Sequence, residues 1–216
     1  GIKNPGRIID EYFSFSDFAP TFLDLVGIGE KNHNMKPFSG KSWDPIFKNL
    51  SDTHPREYMI IGKERHDVGR ENDQGYPVRG IIEGNYFYSQ NFKPDRWPSG
   101  NPETGYLNTD GSPTKTEILN LRRQGKDSTY WNYAFAKRPP EELYNIEKDP
   151  ECLKNLAFDE SYSSLKKSLK DKLIGDLKKQ GDPRVLGNGA MVAAGVSPSC
   201  VYPVRCGSKR WNARLI

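Results

Sequence analysis

Apolar positions along the chain fall into a few periodic blocks separated by long polar stretches. The first block runs from Phe18 to Val26, where Phe18, Phe22 and Leu25 recur at helical spacing beside Leu23 and Val26. Ser16 or Asp17 can cap this helix, Pro20 falls in its first turn, and Gly27 can close it. The pattern predicts a short, buried helix over 17–26. Next come Tyr58-Met59-Ile60-Ile61 and Val78-Arg79-Gly80-Ile81-Ile82, both short runs of strand character. Gly84-Asn85 then separates the second run from Tyr86–Phe92, which predicts an antiparallel hairpin.

Residues 93–140 are punctuated by Pro and Gly, and only 116–123 reads as a short helix. Periodicity returns with a small strand over 142–146. Leu165, Leu169, Leu173 and Leu177 then repeat every four residues, with lysines mostly on the other faces. That stripe predicts an amphipathic helix over 161–180, stopped at Gly181-Asp182-Pro183, and it reads as a packing face rather than a cofactor site. Together these elements predict short strands, one antiparallel hairpin and a C-terminal amphipathic helix.

Composition adds limits. The chain has 216 residues, 35% hydrophobic and 28% charged, with 12% aromatic content that argues against wholesale disorder. No apolar run is long enough to cross a membrane, and no leader pattern opens the chain. The formal charge of +4 hints at an anionic partner, but its location changes that reading. Residues 190–216 carry Arg205, Lys209, Arg210 and Arg214 without one acidic residue, so 1–189 is formally neutral. A neutral body argues against phosphate-driven nucleic-acid binding. Two of the three cysteines, Cys200 and Cys206, also sit in that basic tail, which reads as flexible or non-native.

Candidate chemistry is sparse. His33, His54 and His66 are scattered, and none pairs with a ligand at zinc-site spacing, so no metal site is predicted. No Walker loop, dinucleotide fingerprint or nucleophile elbow occurs. The densest polar cluster is Glu64-Arg65-His66-Asp67-Val68-Gly69-Arg70-Glu71-Asn72, directly after the first strand. Arginine offers planar paired donors to sulfate or carboxylate, and His and Asp can bond sugar hydroxyls. A solvated loop of mutually paired charges explains the same composition. Trp97, between Arg96 and Pro98, can stack on a sugar ring or cover a core edge.

The order of several short strings resembles one family. Ser14 to Ile28 followed by Phe38-Ser39-Gly40-Lys41-Ser42 is similar to the passage leaving the catalytic domain of sulfatases. Glu64-Arg65-His66-Asp67, Gly75-Tyr76-Pro77-Val78-Arg79, Asn91-Phe92 and Pro94-Asp95-Arg96-Trp97-Pro98 resemble the C-terminal region of its heparan N-sulfatase (sulfamidase)-like branch. Ser112 to Thr116, Arg138 to Tyr144, Asp149-Pro150, Asn155-Leu156-Ala157 and Gly181-Asp182-Pro183-Arg184 continue the match in order.

The resemblance implies the C-terminal part of an alkaline-phosphatase-like α/β fold, and that part as an α+β unit: a small antiparallel β-sheet with a packed C-terminal amphipathic helix. Residues 1–50 would end the catalytic domain, 51–189 would form the C-terminal subdomain, and 190–216 would lie beyond the match. It implies a hydrolase of sulfate esters or sulfamates on a glycosaminoglycan-type saccharide. Parent enzymes use formylglycine, made within a C-x-P-x-R motif, and calcium, and they are usually exported. This chain holds neither that motif nor an Asp-Asp pair; Cys200-Val201-Tyr202-Pro203-Val204-Arg205 has one residue too many before Pro203. No catalytic or metal-binding residue is therefore expected here, and the chain is expected to be inactive without the N-terminal sulfatase domain. What the resemblance assigns is substrate binding: Arg65, His66 and Asp67, with Arg70, Arg96 and Trp97 further out. A non-catalytic module for sulfated carbohydrate, or a fragment without independent function, are the alternatives.

Overall fold

A computed structural model of the chain describes residues 2–28, 35–50, 56–64, 74–104 and 109–189. Its centre is a four-stranded antiparallel meander in the order β1-β2-β3-β4: β1 (Tyr58–Lys63), β2 (Val78–Glu83), β3 (Tyr86–Asn91) and β4 (Glu141–Asn145). β2 and β3 pair from Val78↔Asn91 to Glu83↔Tyr86, leaving Gly84-Asn85 as a two-residue turn. Gly84 takes φ +52° at the first turn position, where only glycine avoids a Cβ penalty.

Strand alternation sends one row of side chains, Ile60, Ile81, Tyr88 and Leu143, to a single face, because these residues are cross-strand partners. Helix α5 (Ser163–Lys179) lays Leu169, Leu173 and Leu177 on that row, forming the main core with Leu156 and Ala157. The lysines on its flanks reach acidic partners at the sheet rim: Lys170 Nζ lies 3.0 Å from Glu141, and Lys172 pairs with Glu83. Gly181 turns the chain out of the helix at φ +74°. The predicted sheet and packed C-terminal helix are both present.

The remaining helices are α1 (Phe18–Leu25), α2 (Asp44–Phe47), α3 (Pro113–Arg123) and α4 (Thr129–Ala134). In α3, the Ser112 hydroxyl accepts from the Lys115 N–H at 3.1 Å and Pro113 occupies the first turn, so the helix begins before the predicted 116. α4 has no apolar period to announce it; it forms because Trp131 and Phe135 meet Leu119 in a second, smaller core.

The N-terminal helix corrects an expectation. Asp17 stands at the N-cap position of α1 but makes no side-chain cap bond there; Ser14 caps a 3-10 turn over Phe15–Asp17 that leads into α1, with the Asp17 carboxylate accepting the Ser14 N–H in return. The helix is also not buried by its apolar face. Phe22 is 59% and Leu25 52% exposed, whereas the inward residues are polar, Asp17 and Thr21. Phe15, Phe18 and Phe22 stack on one another at 5.7 and 5.6 Å between centroids, along a face that nothing covers among the described residues. Periodicity locates an apolar face; it does not say whether a partner lies against it.

Candidate functional site

Among the described residues, two gatherings of charged side chains bear on the candidate site. The first is the β1–β2 end of the sheet. β1 hands over to Glu64, and the chain returns at Gly75-Tyr76-Pro77 into β2. The two stems are bound to each other: the Tyr76 N–H donates to the Glu64 carbonyl at 2.9 Å. A Cβ on Gly75 would stand 2.6 Å from that same carbonyl oxygen, so glycine is what lets the stems close. Tyr76 is buried, and its hydroxyl accepts from Asn91 Nδ2 at 2.8 Å. The Phe92 N–H bonds the Pro77 carbonyl at 3.0 Å, tying the return stem to the end of β3.

Below the stems lies a chain of alternating charges. Arg79 points from β2 toward the α5 side, the same side as Ile81. Its Nη2 donates to Glu64 at 3.0 Å and its Nε to Asp182 at 2.8 Å. Arg184 Nε donates to both Glu64 carboxylate oxygens, at 3.0 and 3.2 Å, and its Nη2 also pairs with Glu64. Asp182 accepts the Arg184 N–H at 2.8 Å.

Of the sequence-predicted residues, Arg65, His66, Asp67 and Arg70 lie outside the described residues, as do His33, His54, Cys200 and Cys206. Arg96 and Trp97 are described. Arg96 Nη1 donates to the Gly75 carbonyl at 2.8 Å, which places it on the return stem of the same connection. Trp97 packs edge-on to Trp131 at 6.0 Å, with Lys137 Nζ 5.2 Å from its ring, and covers the second core. Sequence reasoning did not single out Arg79, Asp182 and Arg184 as site residues. A charged residue inside an apolar strand run, and an Asp-Pro-Arg after a helix stop, were the available signals.

The second place is the joint between the N-terminal segment and β1. Asp17 is fully buried, and its carboxylate receives both Arg56 guanidinium nitrogens at 2.5 Å. It also receives the N–H groups of Ser14 and Lys41 at 2.8 Å and the Trp43 indole at 3.2 Å. Burial by itself would push the pKa up, but the Arg56 pair, helped by these donors, holds the carboxyl well below the usual carboxylate range. Gly40 is part of this joint: a Cβ there would lie 2.0 Å from the Ser16 carbonyl oxygen. Gly40→Ala is expected to cost about 1–3 kcal/mol in denaturant unfolding through this overlap; an unchanged midpoint would show that the contact is not tight.

Beside the joint is a cavity of about 720 Å3, lined by Ser14, Ser39, Lys41, Tyr58 and Asp176 among others. Tyr58 donates its hydroxyl to Asp176; this bond, with burial adding to it, pushes the phenol up to about 12. Among the described residues, no three His, Cys, Asp or Glu side chains come together as a metal ion would require. The calcium implied by resemblance fits no donor set among the described residues.

No family model matches the chain. Among curated proteins, it is 27% identical over 187 residues to an ulvan-active sulfatase of Formosa agariphila, covering 84% of this chain and 28% of that protein. It is 26% identical over 212 residues to human N-sulphoglucosamine sulphohydrolase, covering 92% of this chain and 38% of that protein. The chain thus spans well under half the length of these relatives, matching their C-terminal part. A solved 2-O GAG sulfatase superposes with a TM-score of 0.45 at 18% identity, over 77% of this chain and 25% of that one.

Proposed function

We propose, for a chain whose sequence relatives are sulfatases, that it is the C-terminal portion of a carbohydrate sulfatase acting on a sulfate ester or sulfamate of a glycosaminoglycan-type saccharide. The observation that carries this reading is the similarity to sulfatases over 84–92% of the chain. In this reading residues 1–50 complete a catalytic domain, 51–189 form a subdomain beside it, and 190–216 are an appendage. The exposed phenylalanine face of α1 supports the division, since an apolar face of that kind gains by being covered. Formylglycine and calcium would be supplied by residues other than those described. The work of this chain is to bind and orient the saccharide from the β1–β2 end of the sheet. Arg65, His66 and Asp67 are its substrate-binding residues in this reading, with Arg70, Arg96 and Trp97 further out.

Support for that assignment is the bonding of the two stems, Glu64 to Tyr76 and Gly75 to Arg96, on either side of this polar run. A guanidinium–sulfate bond contributes about 1.5–3 kcal/mol. Arg65→Ala and His66→Ala are therefore each expected to weaken binding of a sulfated glucosamine disaccharide by about 10- to 100-fold, measured by calorimetry on the full-length protein. The 216 residues alone are expected to release no sulfate, because no C-x-P-x-R motif occurs in them. Undiminished binding in both variants, or sulfate release by the chain alone, would sink the reading.

A further inference from the structure

We infer that Asp182 and Arg184, on the turn after α5, are positioning residues that hold the two described stems of the β1–β2 end of the sheet, Glu64 and Gly75-Tyr76, in register. The inference rests on the sulfatase reading for its substrate, but its structural half stands on described residues alone. Glu64 is the hinge of the argument. Its carbonyl holds the return stem through the Tyr76 N–H, and its carboxylate is held by Arg79 and Arg184. Any change in the Glu64 side chain is therefore passed to the stem through one residue.

The partners come from far along the chain: Arg79 meets Asp182 across 103 positions, and Arg184 meets Glu64 across 120. They are also sheltered. The side chains of Arg184 and Arg79 are 7% and 11% exposed. Glu64, Arg79, Asp182 and Arg184 alternate in sign and sum to zero, so no member is left uncompensated. Gly189 makes room for the guanidinium, since a Cβ there would lie 2.7 Å from Arg184 Nη1.

Such a set is a poor device for stability alone. Sheltered ion pairs give back much of their attraction as lost hydration, and apolar residues of similar size often do as well. What the charges supply is direction: planar guanidinium groups fix the carboxylate orientation in a way that leucines cannot. Arg96 does the same from the other side by donating to the Gly75 carbonyl. Both stems are thus held from outside the connection, one by the C-terminal turn and one by the segment after β3. Arg96, the member of the proposed binding set that touches these stems, shares their geometry through Gly75, and small misplacements of binding groups carry large kinetic effects.

The test uses the full-length protein carrying these residues, with Arg184→Gln, Asp182→Asn and Arg184→Lys. Two readings are taken: hydrogen exchange at the Tyr76 amide, and steady-state kinetics on a sulfated glucosamine disaccharide. Arg184→Gln is expected to speed Tyr76 exchange by about tenfold or more. It should raise KM about tenfold while kcat stays within about a factor of two. Arg184→Lys, which keeps the charge and loses the paired geometry, should recover only part of the KM. Should Arg184→Gln fail to fold, Asp182→Asn keeps the side-chain size, removes the charge that faces Arg79 and the Arg184 N–H, and is read in the same way. Unchanged Tyr76 exchange overturns the inference, as does faster exchange with KM unaltered. If the wild-type protein shows no sulfatase turnover, the functional reading fails. Tyr76 exchange then still decides the structural half: acceleration supports it and constancy overturns it.

Discussion

Replacing Asp17 by asparagine lowers the unfolding free energy by about 3–5 kcal/mol, the range for breaking one side of a buried ion pair. Asp17 has no exposed surface, and the Arg56 side chain retains 18%. The neutral amide leaves that guanidinium without its counter-charge. It also weakens the bonds from Lys41, Ser14 and Trp43 to the same carboxylate. Thr21 belongs to the same unit, since its hydroxyl donates to the Asp17 carbonyl at 2.6 Å and accepts from the Trp43 N–H at 2.9 Å.

The pH dependence has a definite sign. The folded value of Asp17 is depressed below the unfolded value of about 3.9, so its contribution is fully present above that value. It is lost as pH falls toward the folded value. Urea titrations between pH 7 and pH 2 should show a steep acid loss in the wild type and a flatter one in Asp17→Asn. Parallel profiles, or a loss below about 1 kcal/mol at pH 7, would mean that the joint does not depend on this carboxylate.

The second large effect is in the core. Leu173 is fully buried between the leucine stripe of α5 and the row Ile81, Tyr88 and Leu143. Leu173→Ala removes that packing and leaves a cavity, at an expected cost of about 2–5 kcal/mol. Phe22→Ala, on the exposed face of α1, provides the contrast: in the 216-residue chain it should change stability by about 0.5 kcal/mol or less. Chemical unfolding of the two variants side by side checks both statements. Equal losses would mean that the face of α1 is covered in solution.

Elements whose own side chains supply their burial were legible from sequence. The β2–β3 hairpin shows its turn residues and β-branched or aromatic flanks, and α5 shows its leucine stripe with Gly181 after it. α4 and α2 were not legible, because each is held by contacts with distant residues rather than by an internal period. The same division runs through the candidate site. The polar run after β1 was visible as chemistry, and Arg96 was visible beside Trp97. That Arg96 holds Gly75, and that Trp97 leans on Trp131, depends on where loops cross in space.

The sequence by itself determined the antiparallel sheet with its packed helix, the neutral charge of residues 1–189, and the kinship with sulfatases. These follow from local periodicity, residue counts and ordered short strings, all of which are written along one dimension. Only the tertiary structure decided that Asp17 is a buried hub, that the apolar face of α1 is left largely exposed among the described residues, and that Glu64 is gripped by Arg79 and Arg184. Each depends on charges or surfaces brought together over tens of residues. Coulomb attraction and burial act on distance in space, which spacing along the chain does not encode.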